Sequence, residues 1–179
     1  MRLRSAAPKK SRDAAEVAVK TTPLSGLPPV LENTIHTLIL GSFPGAASLQ
    51  AQRYYAHPRN QFWALLGAVL NEPLPDLPYE DRLQRMLARH VGLWDALAGC
   101  EREGSLDAAI RQPQANDHML LRDLCPQLRR VCFNGKAAGR YAPLYAEAGF
   151  EVLVLPSSSP ANARLSFSAK LALWHAINR

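Results

Sequence analysis

Apolar residues along the chain fall into short continuous runs, separated by longer stretches in which they recur every three or four positions. The first run, His36-Thr37-Leu38-Ile39-Leu40, stops at Gly41-Ser42-Phe43-Pro44-Gly45 and predicts a buried strand opening into a loop. Later runs predict strands at 90–97 (HVGLWDAL), 129–133 (RRVCF) and 150–155 (FEVLVL). Helical spacing predicts helices over 61–70, 79–88, 116–124, 136–148 and 166–177. Asn60 is placed to cap the first of these, and Asn116 or Asp117 the third. Residues 100–110, CEREGSLDAAI, are too polar for core and read as a connection. Strands alternating with helices imply an α/β fold: a mainly parallel four-stranded sheet covered on both faces, three layers in all.

Charge changes this picture less than its total suggests. The net charge is +6, but residues 1–20 hold six of the 21 Lys and Arg against two acids, leaving the body only +2. Residues 1–25 are poor in large apolar groups and are expected to form a disordered basic tail, weakly attracted to phosphate, ahead of a domain spanning 26–179. The start lacks the apolar segment of a secretory signal, and Asp13 and Glu16 argue against a transit peptide. No apolar run is long enough to span a membrane. The expectation is a cytoplasmic protein that is neither secreted nor membrane-bound. Cys100, Cys125 and Cys132 form no CxxC pair and read as buried reduced thiols rather than metal ligands.

Candidate chemistry collects at the strand ends. In open α/β sheets ligands bind outside the carboxyl ends of the strands. The loops there can bring together Ser42, Phe43, Tyr54, Tyr55, Asn60, Asn134, Ser157, Ser159 and Asn162. Aromatic faces, amides and hydroxyls without a carboxylate pair or a nucleophile and base dyad suit a flat, hydrogen-bonding ligand such as a nucleobase. Each residue also has a plainer reading. Asn60 can be a helix cap, Tyr54 and Tyr55 packing, Asn134 one half of a turn, His57 a structural hydrogen-bonding group, and Asp95 and Asp107 loop anchors.

The motifs GSFPG (41–45), YYAHPRNQFW (54–63), GLWD (92–95), GSLD (104–107), FNG (133–135) and LPSSSPAN (155–162), in this order, resemble the uracil-DNA glycosylase superfamily. Within it the chain is most similar to the hypoxanthine-DNA glycosylase, or DNA-deoxyinosine glycosylase, branch, over about residues 27–179. The resemblance implies a monofunctional base-excision repair enzyme that flips out a deaminated base, hypoxanthine or uracil, and hydrolyses its N-glycosidic bond. It implies no cofactor and no metal. DNA is the expected partner, in the bacterial nucleoid, and the protein is expected to be a monomer.

By the same resemblance, Asn60 is the catalytic residue and Ser42, Phe43, Tyr55 and Asn134 contact the base. Ser157, Ser158, Ser159, Ala161, Asn162, Arg164 and His57 contact the DNA. One position departs from a sister branch: the mismatch-specific uracil glycosylases carry a catalytic asparagine third in the first motif, where this chain has Phe43. An apolar ring cannot orient water, and the resemblance to the hypoxanthine branch implies that this role lies with Asn60. Phe43 also keeps a second reading open, a non-catalytic DNA-binding protein on the same fold. A third, an enzyme of free nucleosides, lacks a phosphate-binding glycine pattern.

Overall fold

A computed structural model of the chain describes residues 22–178. In chain order the elements are β1 (Leu24–Ser25), β2 (Thr37–Gly41), α1 (Ala46–Ala51), α2 (Phe62–Leu70), α3 (Tyr79–Ala88), β3 (Val91–Asp95), β4 (Leu97–Glu101), β5 (Arg111–Ala115), α4 (Leu120–Leu124), β6 (Arg130–Asn134), α5 (Lys136–Gly139), α6 (Ala142–Glu147), β7 (Glu151–Leu155) and α7 (Phe167–Trp174).

The continuous apolar runs become the four strands of a parallel sheet in the order β3-β2-β6-β7. Every residue of β2 is buried, as expected of a central strand covered on both sides. Its side chains divide with the period of two that a strand imposes. Ile39 packs into one core with Leu93, Cys132 and the buried faces of α2 and α7, including Phe62, Leu65, Leu66 and Trp174. Leu38 and Leu40 pack into the other with Val131, Phe133, Leu121 of α4 and Tyr145 of α6. These two cores are the interfaces of the expected three-layer α/β/α arrangement.

Several elements differ from the sequence pattern. The run at 90–97 is not one strand: β3 ends at Asp95, and the chain turns at Ala96 into β4 of a second sheet. That sheet is antiparallel, in the order β1-β4-β5, and takes up part of the stretch expected to be a connection. Its Leu97 and Cys100 close over Phe43 in a small third core. Leu24 and Ser25, expected in the tail, pair with Cys100 and Gly99; the rest of that expectation, for residues 1–21, lies outside the described residues. The helix expected over 136–148 is broken into α5 and α6. Pro143 lacks the N–H that a helix interior needs and sits instead in the first turn of α6. The helix expected over 116–124 is reduced to α4, and α1 follows the first loop unexpected. All three cysteines are free and buried. Among the described residues no helix is long and apolar enough to cross a membrane.

The turn from β6 to α5 sets the edge of the sheet where the loops meet. Gly135 has φ 101° and ψ 166°, a region that is essentially closed to residues with a side chain. Its N–H donates to Leu155 O at 2.9 Å, and a Cβ there would lie 2.9 Å from Ser157 Cβ. Gly135→Ala is therefore expected to cost about 1 to 3 kcal/mol in backbone strain alone, read as a lowered urea midpoint with an unchanged slope.

Candidate active site

The carboxyl ends of β2, β3, β6 and β7 open on a cavity of about 310 Å³, at the lower end of the range for small-molecule sites. Of the residues expected there, Ser42, Phe43, Tyr54, Tyr55, His57, Asn60 and Asn134 line it, together with Ser157, Ser158, Ser159 and Ala161. Asn162 and Arg164 are not among the lining residues. Asn162 braces the same loop, donating from Nδ2 to Ser157 O at 3.1 Å, and Arg164 is exposed just beyond it.

Tyr55 forms one wall. Its backbone is left-handed, with φ 54°, and its ring stacks on Phe62 at a centroid distance of 3.8 Å and an interplanar angle of 12°. The hydroxyl accepts from Asn134 Nδ2 at 3.0 Å. Burial, with a smaller contribution from the Asp95 carboxylate, pushes its pKa far above the usual phenol range, so it remains a neutral phenol. Tyr54 turns the other way: it is buried, its hydroxyl donates to the carbonyls of Leu27 and Pro28, and its own carbonyl accepts from Trp63 Nε1 at 3.2 Å.

Asn134 is the hub rather than a free reader of a base edge. Its Nδ2 donates to Tyr55 and, at 2.8 Å, to Ser158 Oγ, while its Oδ1 accepts from Ser158 N at 2.9 Å. Both donors and one lone pair of the acceptor are thus engaged within the protein. Ser158 differs from the exposed phosphate contact expected of it: it is fully buried, its N–H donating to Asn134 and its hydroxyl oxygen accepting from it. Its carbonyl accepts from Gln61 N at 3.0 Å, and Gln61 Oε1 accepts from the buried Lys170 Nζ at 2.9 Å. Burial lowers the Lys170 pKa. One polar chain therefore links α7, the start of α2, the loop after β7, the end of β6 and Tyr55.

Asn60 lies at both of its expected places, the start of α2 and the cavity. Its Oδ1 accepts from Phe62 N, the first N–H of α2, at 3.0 Å, one residue ahead of the N-cap Gln61, and Asn60 lines the cavity. The bond holds the amide at a fixed place, and a carbonyl oxygen has a second lone pair for another donor. His57 Nδ1 accepts from Arg59 N at 3.1 Å, which in the neutral ring puts the proton on Nε2. Ser157 Oγ and Ser159 Oγ accept from the amides of Ser159 and Ala161, both at 3.2 Å, leaving their hydroxyl protons to donate elsewhere.

The first loop is clamped from behind. Phe43 is 6% exposed, and the guanidinium of buried Arg102 lies 5.1 Å from its ring centroid. Arg102 Nη2 also donates to Pro44 O. The Pro44–Gly45 peptide is trans, so the Gly45 N–H points away from Arg102. Ser42 Oγ donates to Asp107 Oδ1 at 2.5 Å.

Asp95 and Asp107, which read as loop anchors in the sequence, both line the cavity with Ser105 and Leu106, so the site expected to lack a carboxylate pair contains two carboxyl groups. Asp95 is 4% exposed, and its Oδ2 has no hydrogen-bond partner among the described residues. It is the register partner of Gly41 on the neighbouring strand. A Cβ at Gly41 would fall 2.3 Å from Asp95 Oδ1 and 3.1 Å from the Tyr55 hydroxyl, so the glycine is what lets the carboxyl lie over β2. The available signal was the pair of motifs GSFPG and GLWD, whose ends meet only once the strands are in register.

Comparison with known proteins places this site. The family model for the uracil DNA glycosylase superfamily matches residues 28–178. A hypoxanthine DNA glycosylase of Methanosarcina acetivorans is 43% identical over 154 residues, 86% of this chain and 97% of that protein. Its counterpart in Methanosarcina barkeri is 40% identical over 154 residues, 86% of this chain and 98% of that one. The solution NMR structure of a Methanosarcina acetivorans protein described as a uracil DNA glycosylase candidate superposes with a TM-score of 0.79 at 40% identity, over 88% of this chain and 100% of that one.

Burial, reinforced by the Asp107 carboxylate and opposed by Arg102, lifts the Asp95 pKa from 3.8 to about 7. The folded value lies above the unfolded one, so between about pH 4 and 7 the folded state keeps a proton that the unfolded state has lost. That contribution to stability is complete below pH 4, falls away through this window and is gone above it. Asp95→Asn has no proton to lose. Its melting temperature is expected to exceed that of the parent at pH 8, by up to roughly 4 kcal/mol of stability, with the gap closing as the pH is lowered to 4.

Proposed function

The chain belongs to the uracil DNA glycosylase superfamily, and we propose that it acts as a monofunctional DNA glycosylase on deaminated bases, hypoxanthine first and uracil second. The observation that carries this reading is the cavity itself. It is a slot at the carboxyl edge of the sheet, walled by a tyrosine held flat against Phe62 and edged by amides and hydroxyls. An extruded base stacks on the Tyr55 ring, and a mispaired base such as hypoxanthine lowers the cost of leaving the helix. The names of the Methanosarcina relatives support hypoxanthine as the substrate.

In this reading the C1′–N bond breaks as positive charge grows on the sugar and negative charge on the departing base. Asn60, fixed by its bond to Phe62 N, holds the attacking water through its side-chain carbonyl. Backbone amides of the loop from Ser42 to Gly45 stabilise the leaving base, with the Gly45 N–H directed away from the Arg102 clamp. Phe43 supplies an apolar side, and Asn134 acts through Tyr55, which it holds. Ser157, Ser159 and Ala161, with Asn162, Arg164 and His57, meet the sugar-phosphate backbone, the two serines through their uncommitted hydroxyl protons. The +4 of residues 1–20 adds a non-specific attraction to phosphate. The enzyme works as a monomer on nucleoid DNA in the cytoplasm and needs neither cofactor nor metal.

Purified protein is expected to release free hypoxanthine from a duplex containing one deoxyinosine, and Asn60→Ala to slow that release by about 100-fold or more in single turnover. Absence of release from both deoxyinosine and deoxyuridine duplexes overturns the enzyme reading. Tight binding without turnover favours the non-catalytic one. An unimpaired Asn60→Ala removes the role given to that residue.

A further inference from the structure

The mechanism above leaves one buried group in the cavity without a task. The Asp95 side chain is more than nine-tenths buried, lines the slot, and has an oxygen with no partner in the protein. Leaving a buried polar atom unpaired is costly unless something arrives to pair it. The fold goes further and makes room for the group, since the residue opposite it in register is a glycine, and any side chain there would collide with the carboxyl.

Resting on the glycosylase reading, we propose that Asp95 is the general acid of the reaction, hydrogen-bonded through its carboxyl to a free ring nitrogen of a flipped purine and protonating it as the base leaves. The C1′–N9 bond breaks and its electron pair passes into the base. The Asp95 O–H bond breaks and its proton forms a new N–H bond at N7 or N3, so the base departs neutral. Water adds to C1′ and loses one proton to solvent, and the Asp95 carboxylate takes one back from solvent. The sum is nucleotide plus water giving an abasic site plus free base.

The surroundings favour an acid over a base. Among the described residues, the groups facing Asp95 are the Asp107 carboxylate, the phenols of Tyr54 and Tyr55, and the cation Arg102 just after β4. Burial and Asp107 hold the carboxyl protonated up to about pH 7, and Arg102 only partly opposes them. Bound DNA brings phosphates, whose negative charge acts in the same direction as Asp107. A carboxylate would repel the anion that develops on the leaving base, whereas a neutral acid neutralises it. The same chemistry selects the substrate class. A purine nucleotide has free basic nitrogens at N7 and N3, while in deoxyuridine one ring nitrogen carries the sugar and the other a hydrogen. The site is thus built for a deaminated purine ahead of a pyrimidine.

The test is single-turnover release of hypoxanthine from a deoxyinosine duplex between pH 5.5 and 9, by the full chain and by Asp95→Asn and Asp95→Ala, each checked for folding by melting. The parent rate is expected to be level at low pH and to fall about tenfold per unit above an apparent pKa near 7. Asp95→Asn is expected to be slower by about 100-fold or more at pH 6 and to lose the falling limb, with Asp95→Ala at least as slow. A folded Asp95→Asn that releases base within about threefold of the parent, or keeps the falling limb, overturns the proposal while leaving the glycosylase reading intact. So does a parent rate that rises through pH 7, which would make the group a base. A parent that releases no base at any pH overturns both.

Discussion

The site depends on one amide. Asn134 closes three hydrogen bonds inside the protein, two to Ser158 and one to Tyr55, and so fastens the end of β6 to the loop after β7 and to the long loop before α2. Each of these segments would otherwise be an independent loop carrying the entropy of its own conformations. Because both donors and the acceptor are bonded within the protein, any displacement of one segment leaves a part-buried polar group unpaired, which makes the arrangement nearly all-or-none. The chain continues through Gln61 to Lys170, a buried lysine whose described acceptor is that neutral amide. The flat wall offered to a ligand is thus held from the opposite end of the sequence.

The first loop is fixed by a different kind of force. Arg102 is buried, with Nε and Nη1 unpaired among the described residues, and it holds Phe43 by its face and Pro44 by its carbonyl. The position that departs from the sister branch is therefore occupied by a ring that packs under the loop, on Leu97 and Cys100. Its role in the fold is structural support.

Elements defined by continuous apolar runs were legible in the sequence: β2 and β6, buried on both faces, fall where the pattern puts them, and so does the edge strand β7, whose run is apolar although Glu151 and Val154 are exposed. The antiparallel sheet was not legible. Every residue of β5 is exposed, it contains Pro113, and β1 is two residues long, so neither has a periodicity to read. The place of Asn60 at the start of α2 was legible, since a side-chain bond to a helix's first amide is a local feature. Asp95 was read as an anchor because its meaning is non-local: an aspartate at the end of a strand looks like any loop acid until the register sets it over Gly41. Ser158 shows the opposite error, a motif serine that looks exposed in sequence and is wholly enclosed in the fold.

The contact between Gly41 and Asp95 constrains more than the geometry of one molecule. Since a Cβ at 41 would overlap the carboxyl at 95, the two positions cannot vary independently. A side chain at 41 requires the acid at 95 to move, shorten or be lost, whereas the acid can be lost with the glycine still in place. The order of mutational steps is thereby given a direction, out of this arrangement more readily than into it, and the two sites are expected to covary among descendants of a common ancestor.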